Sequence, residues 1–334
     1  MRRKLRHSDM VEVRSPREIL STLDNGNKFE ALPFMTEMLQ YCGRRFMVDK
    51  RAEKICDTIR YSGSRRLRNT VLLEDLRCDG AAHDGCQADC RLFWKESWLR
   101  RIAPGESTSA SASVRDGFEA LSRLTADNVK RTVAVDGKNE ERYQCQATEL
   151  YNATTRLRLW DPIPYIREFT CGNVPFWRFL RVSIKAFFVE PLRIIGFFPH
   201  VFLKGSQKGP LRECNLSLQP GDWVEVKSKD EIAAMLDSKG GTQGLWFDRE
   251  MVPYCGGTYR VRQRIRRFIH DQNGKMIQLK RESLTLEGVV CSGDLSMRRW
   301  FCTRLIYPFW RESWLRRANV ETVCQPSEQL DKSD

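Results

Sequence analysis

Two matching stretches decide the fold of this chain: VEVRSPREILSTLD at Val11–Asp24 and VEVKSKDEIAAMLD at Val224–Asp237. The Val-Glu-Val run that opens each stretch alternates apolar and polar residues, which is typical of a short strand with one buried face. In the second stretch, the segment Glu231–Leu236 favours a brief helical turn. We infer that the chain contains an internal duplication.

The alignment continues well beyond these stretches. After one short insertion, FWKESWLRR at Phe93–Arg101 in the first copy meets FWRESWLRR at Phe309–Arg317 in the second. A repeat of about 95 residues is too long for a solenoid and fits two copies of one small domain. Between the two ends, the same offset pairs Leu32, Phe34, Glu37, Met38, Tyr41, Cys42 and Gly43 with Leu245, Phe247, Glu250, Met251, Tyr254, Cys255 and Gly256.

The second copy shows its strands most clearly. From Tyr259 to Ile265, apolar or uncharged residues alternate with arginines, which predicts a strand with one basic face. The turn sequence Asp271–Gly274 predicts a hairpin that leads into Met276–Leu279. We therefore predict mainly β repeats within an α+β chain: two homologous small SH3-like β-barrel or roll domains, with few open strand edges, and a partly helical middle region.

Composition divides the chain into segments. The middle region contains a stretch, 141–157, that favours a helix, and Phe176–Val189, which has the spacing of an amphipathic helix with a basic stripe. A Ser-rich, low-complexity stretch predicts a flexible linker. The predicted segments are the first β-rich repeat at 1–102, the linker at 103–117, the middle region at 118–205, the second β-rich repeat at 206–320 and a polar tail at 321–334.

Charge and hydropathy narrow the class of protein. The 334 residues carry a net charge of +13, which favours acidic partners such as nucleic acid, an anionic membrane or an acidic polymer. Charged residues make up 30% of the chain, and no apolar stretch reaches the roughly 18 to 20 residues that a membrane-spanning helix needs. We predict no transmembrane segment. Because no apolar core follows the basic start, we also predict no secretory signal and a cytoplasmic location.

The twelve cysteines are many for a cytoplasmic protein, where thiols stay reduced. Several occupy matching places in the two copies, and His270 of the second copy aligns, after a local shift, with Cys56 of the first. Since cysteine and histidine are exchangeable ligands of tetrahedral zinc, we predict a zinc site in each copy. No CxxC pair is present, so ordinary buried thiols and redox chemistry are the alternatives. The predicted ligands are Cys42, Cys56, Cys78 and Cys86 in the first copy and Cys255, His270, Cys291 and Cys302 in the second.

The other cysteines are expected to matter less. His83 and Cys90 are spare ligand candidates near Cys86, but Cys90 aligns with Ile306, which argues against a part in a shared site. The remaining ones have no counterpart in the repeats, and we expect them to be ordinary thiols. They are Cys145, Cys171, Cys214 and Cys324.

Three further features are candidate binding surfaces. The first is an anion-binding strand for a phosphate backbone or an acidic polymer, formed by Arg260, Arg262, Arg264, Arg266 and Arg267; the alternative is a solvated face balanced by acidic residues. The second is the Phe176–Val189 helix, which either lies on an anionic membrane or packs between the repeats. The third is a set of tryptophans that we expect to be core anchors rather than a stacking surface: Trp94, Trp98, Trp310 and Trp314.

The pattern F..EM..YCG, followed by a strand and a Cys-rich segment ending in FW(K/R)ESWLRR, resembles a family of uncharacterised bacterial proteins with one or two such units. The resemblance includes the stretch Tyr143–Pro162 and so covers most of the chain. The GDWVEV strand also looks like those of SH3-like barrels, which concerns the fold alone. The resemblance implies no catalytic residue.

Enzyme motifs are missing from the sequence: there is no GxGxxG, P-loop, GxSxG or HExxH. Only four histidines are available to activate a cysteine nucleophile. The sequence therefore favours a binding role over catalysis but does not exclude an enzyme. We expect a non-enzymatic interaction or scaffold protein with a protein partner, stabilised by zinc if the cysteines bind it. The alternative is a nucleic-acid-binding regulator that uses the basic strand.

Overall fold

The structure, a computed structural model, describes residues 3–103, 116–158, 161–189, 203–207, 209, 216–296 and 298–318. Strands dominate these residues and helices lie between them, so the predicted β-rich α+β class is confirmed. The chain divides into two compact units. The first comprises Met1–Pro199, Arg267–Gln278 and Ser292–Ile306; the second comprises His200–Arg266, Leu279–Cys291 and Tyr307–Asp334.

The first unit begins with a helix and a series of short strands. Helix α1 (Pro16–Leu20) starts at a capping box, in which Ser15 and Glu18 each bond the other's backbone N–H. The strands are β1 (Met10–Val13), β2 (Lys28–Phe29), β3 (Leu32–Pro33), β4 (Arg45–Arg51), β5 (Lys54–Cys56), β6 (Ser64–Leu67), β7 (Thr70–Arg77), β8 (Arg91–Lys95) and β9 (Leu99–Arg101). Five of them form one curled sheet in the order β8-β7-β4-β1-β9.

The middle of the chain adds helices and a hairpin to the first unit: α2 (Phe118–Asp127), β10 (Lys130–Val135), β11 (Lys138–Tyr143), α3 (Gln146–Glu149), β12 (Thr154–Arg156), α4 (Ile163–Thr170) and α5 (Phe176–Ile184). The predicted helix over 141–157 is therefore wrong except at α3. Strand pairing outweighs local helix preference here, because β11 pairs with β10 and β12 pairs with β6. The predicted amphipathic helix is confirmed over α5, and a π-helical turn at Lys185–Val189 follows it.

The remaining elements along the chain are β13 (Trp223–Val226), α6 (Lys229–Met235), β14 (Gly241–Thr242), β15 (Leu245–Trp246), β16 (Thr258–Ile269), β17 (Met276–Leu286) and β18 (Leu315–Arg317). Four of them form a sheet in the order β17-β16-β13-β18. In β16, Val261 and Ile265 are buried while Arg260, Arg262 and Arg266 are exposed, which confirms the predicted strand with one basic face. The predicted hairpin is also confirmed, and its tip, Arg267–Gln278, belongs to the first unit.

The two aligned stretches have the same strand register. Strand β1 lies between β4 and β9, with Val13 opposite Leu99. Strand β13 lies between β16 and β18, with Val226 opposite Leu315. Helix α6 also starts at a capping box, formed by Ser228 and Glu231. The aligned residues of the two stretches therefore have the same local structure.

Each unit has its own aromatic core. In the first, the rings of Phe34 and Trp98 lie edge to face at 5.3 Å and 87°. In the second, Phe247 and Trp314 do the same at 5.2 Å and 87°. Edge-to-face pairs of this kind stabilise a core beyond their buried area. All four aligned tryptophans are fully buried, so their prediction as core anchors is confirmed: Trp94, Trp98, Trp310 and Trp314.

The predicted linker lies outside the described residues apart from 103, 116 and 117, and the predicted tail lies wholly outside them. Among the described helices, none combines the length and the apolar composition needed to cross a bilayer.

Candidate functional site

The two predicted zinc quartets are not assembled in the structure. Within the described ranges, no three His, Cys, Asp or Glu side chains are grouped so that they could hold one metal ion. In the first quartet, Cys42 lies in the hydrophobic core of its unit. In the second, Cys255 and Cys291 belong to the second unit, whereas His270 and Cys302 belong to the first. Zinc binding stays a prediction, but the sets of ligands drawn from the alignment do not meet.

A different group of cysteines comes together in the first unit. Four of them line one cavity of about 50 Å³, namely Cys78, Cys86, Cys90 and Cys145. We call this space the thiol cavity. All four are free and partly buried. The volume leaves room for several water-sized groups, which is more than a single metal ion requires. His83 and Arg304 also contribute to its lining.

The loop between β7 and β8 positions three of these cysteines. Its ends are closed by the Cys78 N–H, which donates to the Cys90 carbonyl at 2.8 Å. Inside the loop, Gly80 has a φ of +70°, and a Cβ placed there would lie 2.0 Å from the Cys86 carbonyl oxygen. Only glycine fits both the backbone angle and the space. This loop therefore sets the positions of Cys78, Cys86 and Cys90.

A buried histidine ties the fourth cysteine to the same loop. His83 Nδ1 lies 2.5 Å from the Glu37 carboxylate, and Nε2 lies 3.1 Å from the Gln144 carbonyl oxygen, next to Cys145. The Gln144 carbonyl and the ionised Glu37 carboxylate can only accept hydrogen bonds. Both ring nitrogens of His83 must therefore donate. His83 is therefore an imidazolium whose nitrogens are both occupied. It has no lone pair left to bind a metal or to accept a proton from a thiol.

The charge on this pair agrees with its geometry. Burial alone would lower the pKa of His83, but the hydrogen bond and charge of Glu37 outweigh burial and raise it. Burial alone would raise the pKa of Glu37, but the hydrogen bond and charge of His83 lower it. Each partner thus holds the other in its charged form. The Glu37–His83 ion pair therefore stabilises the structure and does not act as a general base.

The cavity thiols are protonated at neutral pH when no cation is bound. Burial raises the pKa of Cys90 to about 11 and the pKa of Cys145 to about 12. Burial also raises the pKa of Cys78 and of Cys86. A bound metal reverses this preference, because it ionises the thiols that coordinate it. The four thiols would then act together as an anionic ligand set.

A buried guanidinium lies beside this cavity. Arg304 donates from Nη1 to the Thr58 hydroxyl at 2.7 Å and to the Cys56 carbonyl at 3.4 Å. Next to it, the Cys56 N–H donates to Cys302 Sγ at 3.3 Å. The hydrogen bond from Cys302, helped by the charge of Arg304, outweighs burial and lowers the pKa of Cys56. Two residues predicted for separate zinc sites, Cys56 and Cys302, are thus neighbours.

The predicted anion-binding arginines are already engaged. Arg264 pairs with Glu282 at 2.6 Å and with Glu312 at 3.0 Å, and Arg266 shares Glu282 at 2.6 Å. Arg260 donates to the Gly221 carbonyl at 3.0 Å, and Arg262 lies over the Tyr307 ring at 4.9 Å. Arg267 belongs to the first unit, where its backbone N–H donates to Gln87 at 3.1 Å. Nucleic-acid binding by this strand stays a prediction.

Sequence reasoning set aside or missed several residues of the thiol cavity. Cys90 and Cys145 were discounted because neither has a counterpart in the second copy. The sequence also gives no role to Arg304, which lines the cavity, or to Glu37, which pairs with the cavity residue His83. One signal was present: Cys78, Gly80, His83, Cys86 and Cys90 fall within a single loop between two strands.

We compared the chain with protein-family models, curated proteins and solved structures, and found no match in any of the three comparisons.

Proposed function

We propose that the first unit binds an iron–sulfur cluster in the thiol cavity, with Cys78, Cys86, Cys90 and Cys145 as its four thiolate ligands. One observation carries the proposal: four free cysteines line one cavity, three from the loop between β7 and β8 and one from the start of α3. Four thiolates are the standard ligand set of such clusters. Because this arrangement occupies every iron with protein sulfur, it favours an electron-transfer or structural role over substrate binding.

The lack of a tight ligand group among the described side chains favours a cluster over zinc. Zinc–ligand bonds of about 2.0 to 2.3 Å require the ligand atoms to converge to within about 4 Å of one another. The described side chains contain no such group of three. An iron–sulfur cluster is larger, since its irons and sulfides separate the four cysteines. Thiols distributed around a cavity suit the larger group.

The surrounding charge also suits an anionic cluster. Four thiolates and the inorganic sulfides give the assembly a net negative charge, and buried negative charge is costly without a positive partner. Arg304 lines the cavity and is buried, so its guanidinium supplies that charge. Charge and hydrogen bonding around a cluster also set its reduction potential. We assign Arg304 to both tasks.

For the rest of the molecule we propose the role expected from the sequence: a non-enzymatic interaction protein built on two copies of one SH3-like fold. The support is the shared register of β1 with β9 and of β13 with β18, together with the matching aromatic pairs. Each sheet also places its first strand beside its last, as a closed small barrel requires.

The test is to produce the full chain without oxygen, supply iron and sulfide, and record visible absorption and electron paramagnetic resonance after reduction. We expect broad cluster absorption that bleaches on reduction, and its loss in Cys78→Ser, Cys86→Ser, Cys90→Ser and Cys145→Ser. Matched controls are Cys171→Ser and Cys255→Ser, two free cysteines outside the cavity lining, which should keep the spectrum. Equal loss in the controls, or an unchanged spectrum in all four variants, would overturn the assignment.

A further inference from the structure

A second surface of the first unit has no role in the cluster proposal. Helices α4 and α5 and the Lys185–Val189 turn expose large apolar side chains to solvent. Trp177 is 76% exposed, Phe187 is 72% exposed and Phe188 is 66% exposed. Further exposed members are Ile163, Ile166, Phe169, Phe176, Leu180 and Ile184. An apolar surface of this kind marks an interaction site in a folded protein.

The exposure is not a sign that the helices are loosely attached. On the inner side, Val182 is buried and the Phe179 ring stacks on Phe301 at 5.7 Å. Arg178 forms a forked ion pair with Asp294, with distances of 2.9 and 3.0 Å. Phe169 of α4 stacks on Phe179 at 5.5 Å, which joins the two helices. One face of α5 is therefore anchored, and the opposite face is left facing solvent.

Helical spacing arranges the outer face into two rows. Residues four apart lie on the same side of a helix, so Phe176, Leu180 and Ile184 form one apolar row. The neighbouring row is mixed: Trp177 is followed by Arg181 and Lys185. Both cations are exposed, and neither forms an ion pair with another described residue. Aromatic and basic side chains side by side are typical of helices that lie in the headgroup region of a membrane.

We propose that this face of α4, α5 and the Lys185–Val189 turn docks on the surface of an anionic lipid bilayer. The aromatic side chains of Trp177, Phe187 and Phe188 enter the headgroup region, while Arg181 and Lys185 bind lipid phosphates. Charge complementarity selects this partner, since the face adds exposed cations to a chain with a net charge of +13. None of the described helices can cross a bilayer, so the contact is peripheral.

The test is sedimentation of the full chain with vesicles of phosphatidylglycerol and phosphatidylcholine, against vesicles of phosphatidylcholine alone. We expect binding to the anionic vesicles that weakens with salt. The double variant Arg181→Gln/Lys185→Gln should bind about thirty-fold more weakly, because each cation near an anionic surface contributes about a factor of five. The triple variant Trp177→Ser/Phe187→Ser/Phe188→Ser should lose measurable binding.

Matched controls lie elsewhere on the surface. Trp246→Ser removes an aromatic side chain that is 66% exposed, and Lys138→Gln/Lys239→Gln removes two exposed cations. Both controls should bind as the unchanged chain does. Three results would overturn the proposal: no binding to anionic vesicles at low salt, equal losses in the controls, or self-association through the aromatic face without vesicle binding. The last result would assign the face to a second copy of the chain.

Discussion

The sheets of the two units agree in register and differ in chemistry. Both place a buried tryptophan edge to face with a phenylalanine, and both hold the first strand against the last. Among the described residues, four cysteines line one cavity in the first unit, whereas the second unit contributes Cys255 and Cys291. At the position aligned with Cys90 the chain has Ile306, and Cys145 comes from a middle region that occurs once. The shared scaffold therefore does not depend on the proposed metal centre.

The aligned core tryptophans test whether the two units share one scaffold. Trp98→Ala and Trp314→Ala each remove a fully buried indole from a matching position, and we expect each to destabilise its own unit by about 3 to 5 kcal/mol. Hydrogen exchange of the amides in β1 and β13 measures each unit separately. Losses confined to the mutated unit, and similar in size, support two equivalent scaffolds. A tryptophan whose removal leaves its own sheet protected contradicts the equivalence.

Two glycines with similar backbone angles differ in the space around them. Gly80 and Gly256 have similar positive φ values of +70° and +78°, but only Gly80 faces a clash, with the Cys86 carbonyl oxygen 2.0 Å from the Cβ position. We expect Gly256→Ala to cost about 1 kcal/mol and Gly80→Ala about 3 kcal/mol or more. Urea unfolding measures both. Equal costs would show that the loop of the thiol cavity is not tightly packed.

The Glu37–His83 pair predicts a pH dependence for the first unit. The pKa of His83 is raised in the folded state, so its contribution to stability is present below its unfolded value of about 6.5 and is lost as the pH rises through the folded value. The pKa of Glu37 is lowered, so its contribution is lost as the pH falls through its folded value. The stabilisation by the Glu37–His83 pair is therefore greatest at pH values between the folded-state pKa of Glu37 and that of His83.

The variant Glu37→Gln should cost about 1.5 to 3 kcal/mol near pH 6, as expected for a charged hydrogen bond, and less above the folded pKa of His83. Unfolding in urea across this pH range measures the change. His83→Gln should flatten the same profile. A constant cost at every pH would mean that the pair is not ionised in the folded protein.

The smallest effect concerns the basic strand of the second unit. Arg266 is largely exposed where it pairs with Glu282, so Arg266→Gln should change the free energy of unfolding by less than about 1 kcal/mol. Because these arginines are engaged by protein groups, we also expect no steeply salt-dependent binding to generic DNA or RNA. Electrophoretic binding at two salt concentrations checks this, and a steep loss of affinity with salt would favour the nucleic-acid alternative.

The sequence predicted the features that depend on local periodicity. Alternation around Val261 and Ile265 identified β16, and the repeated tryptophans identified the cores. The helix predicted over 141–157 is wrong except at α3, because β11 pairs with its neighbour β10 in a tight hairpin and β12 pairs with β6, which lies far away along the chain. Periodicity carries no information about such partners.

The thiol cavity could not be derived from the alignment, because alignment pairs equivalent residues and does not show which segments meet. Cys302 aligns with Cys86, yet it belongs to the first unit and lies against Cys56. Cys145 reaches the cavity through the contact of Gln144 with His83, whose chain positions are far apart. The zinc quartets assumed that each repeat folds only with its own residues.

Acid-labile sulfide distinguishes a cluster in the thiol cavity from a single metal ion and from an empty cavity. Sulfide and iron should be measured in the full chain purified without oxygen, beside Cys145→Ser and the control Cys255→Ser. We expect roughly equal amounts of iron and sulfide in the unchanged chain and in the control, and the loss of both in Cys145→Ser. Zinc without sulfide, or neither metal nor sulfide after reconstitution, would contradict it.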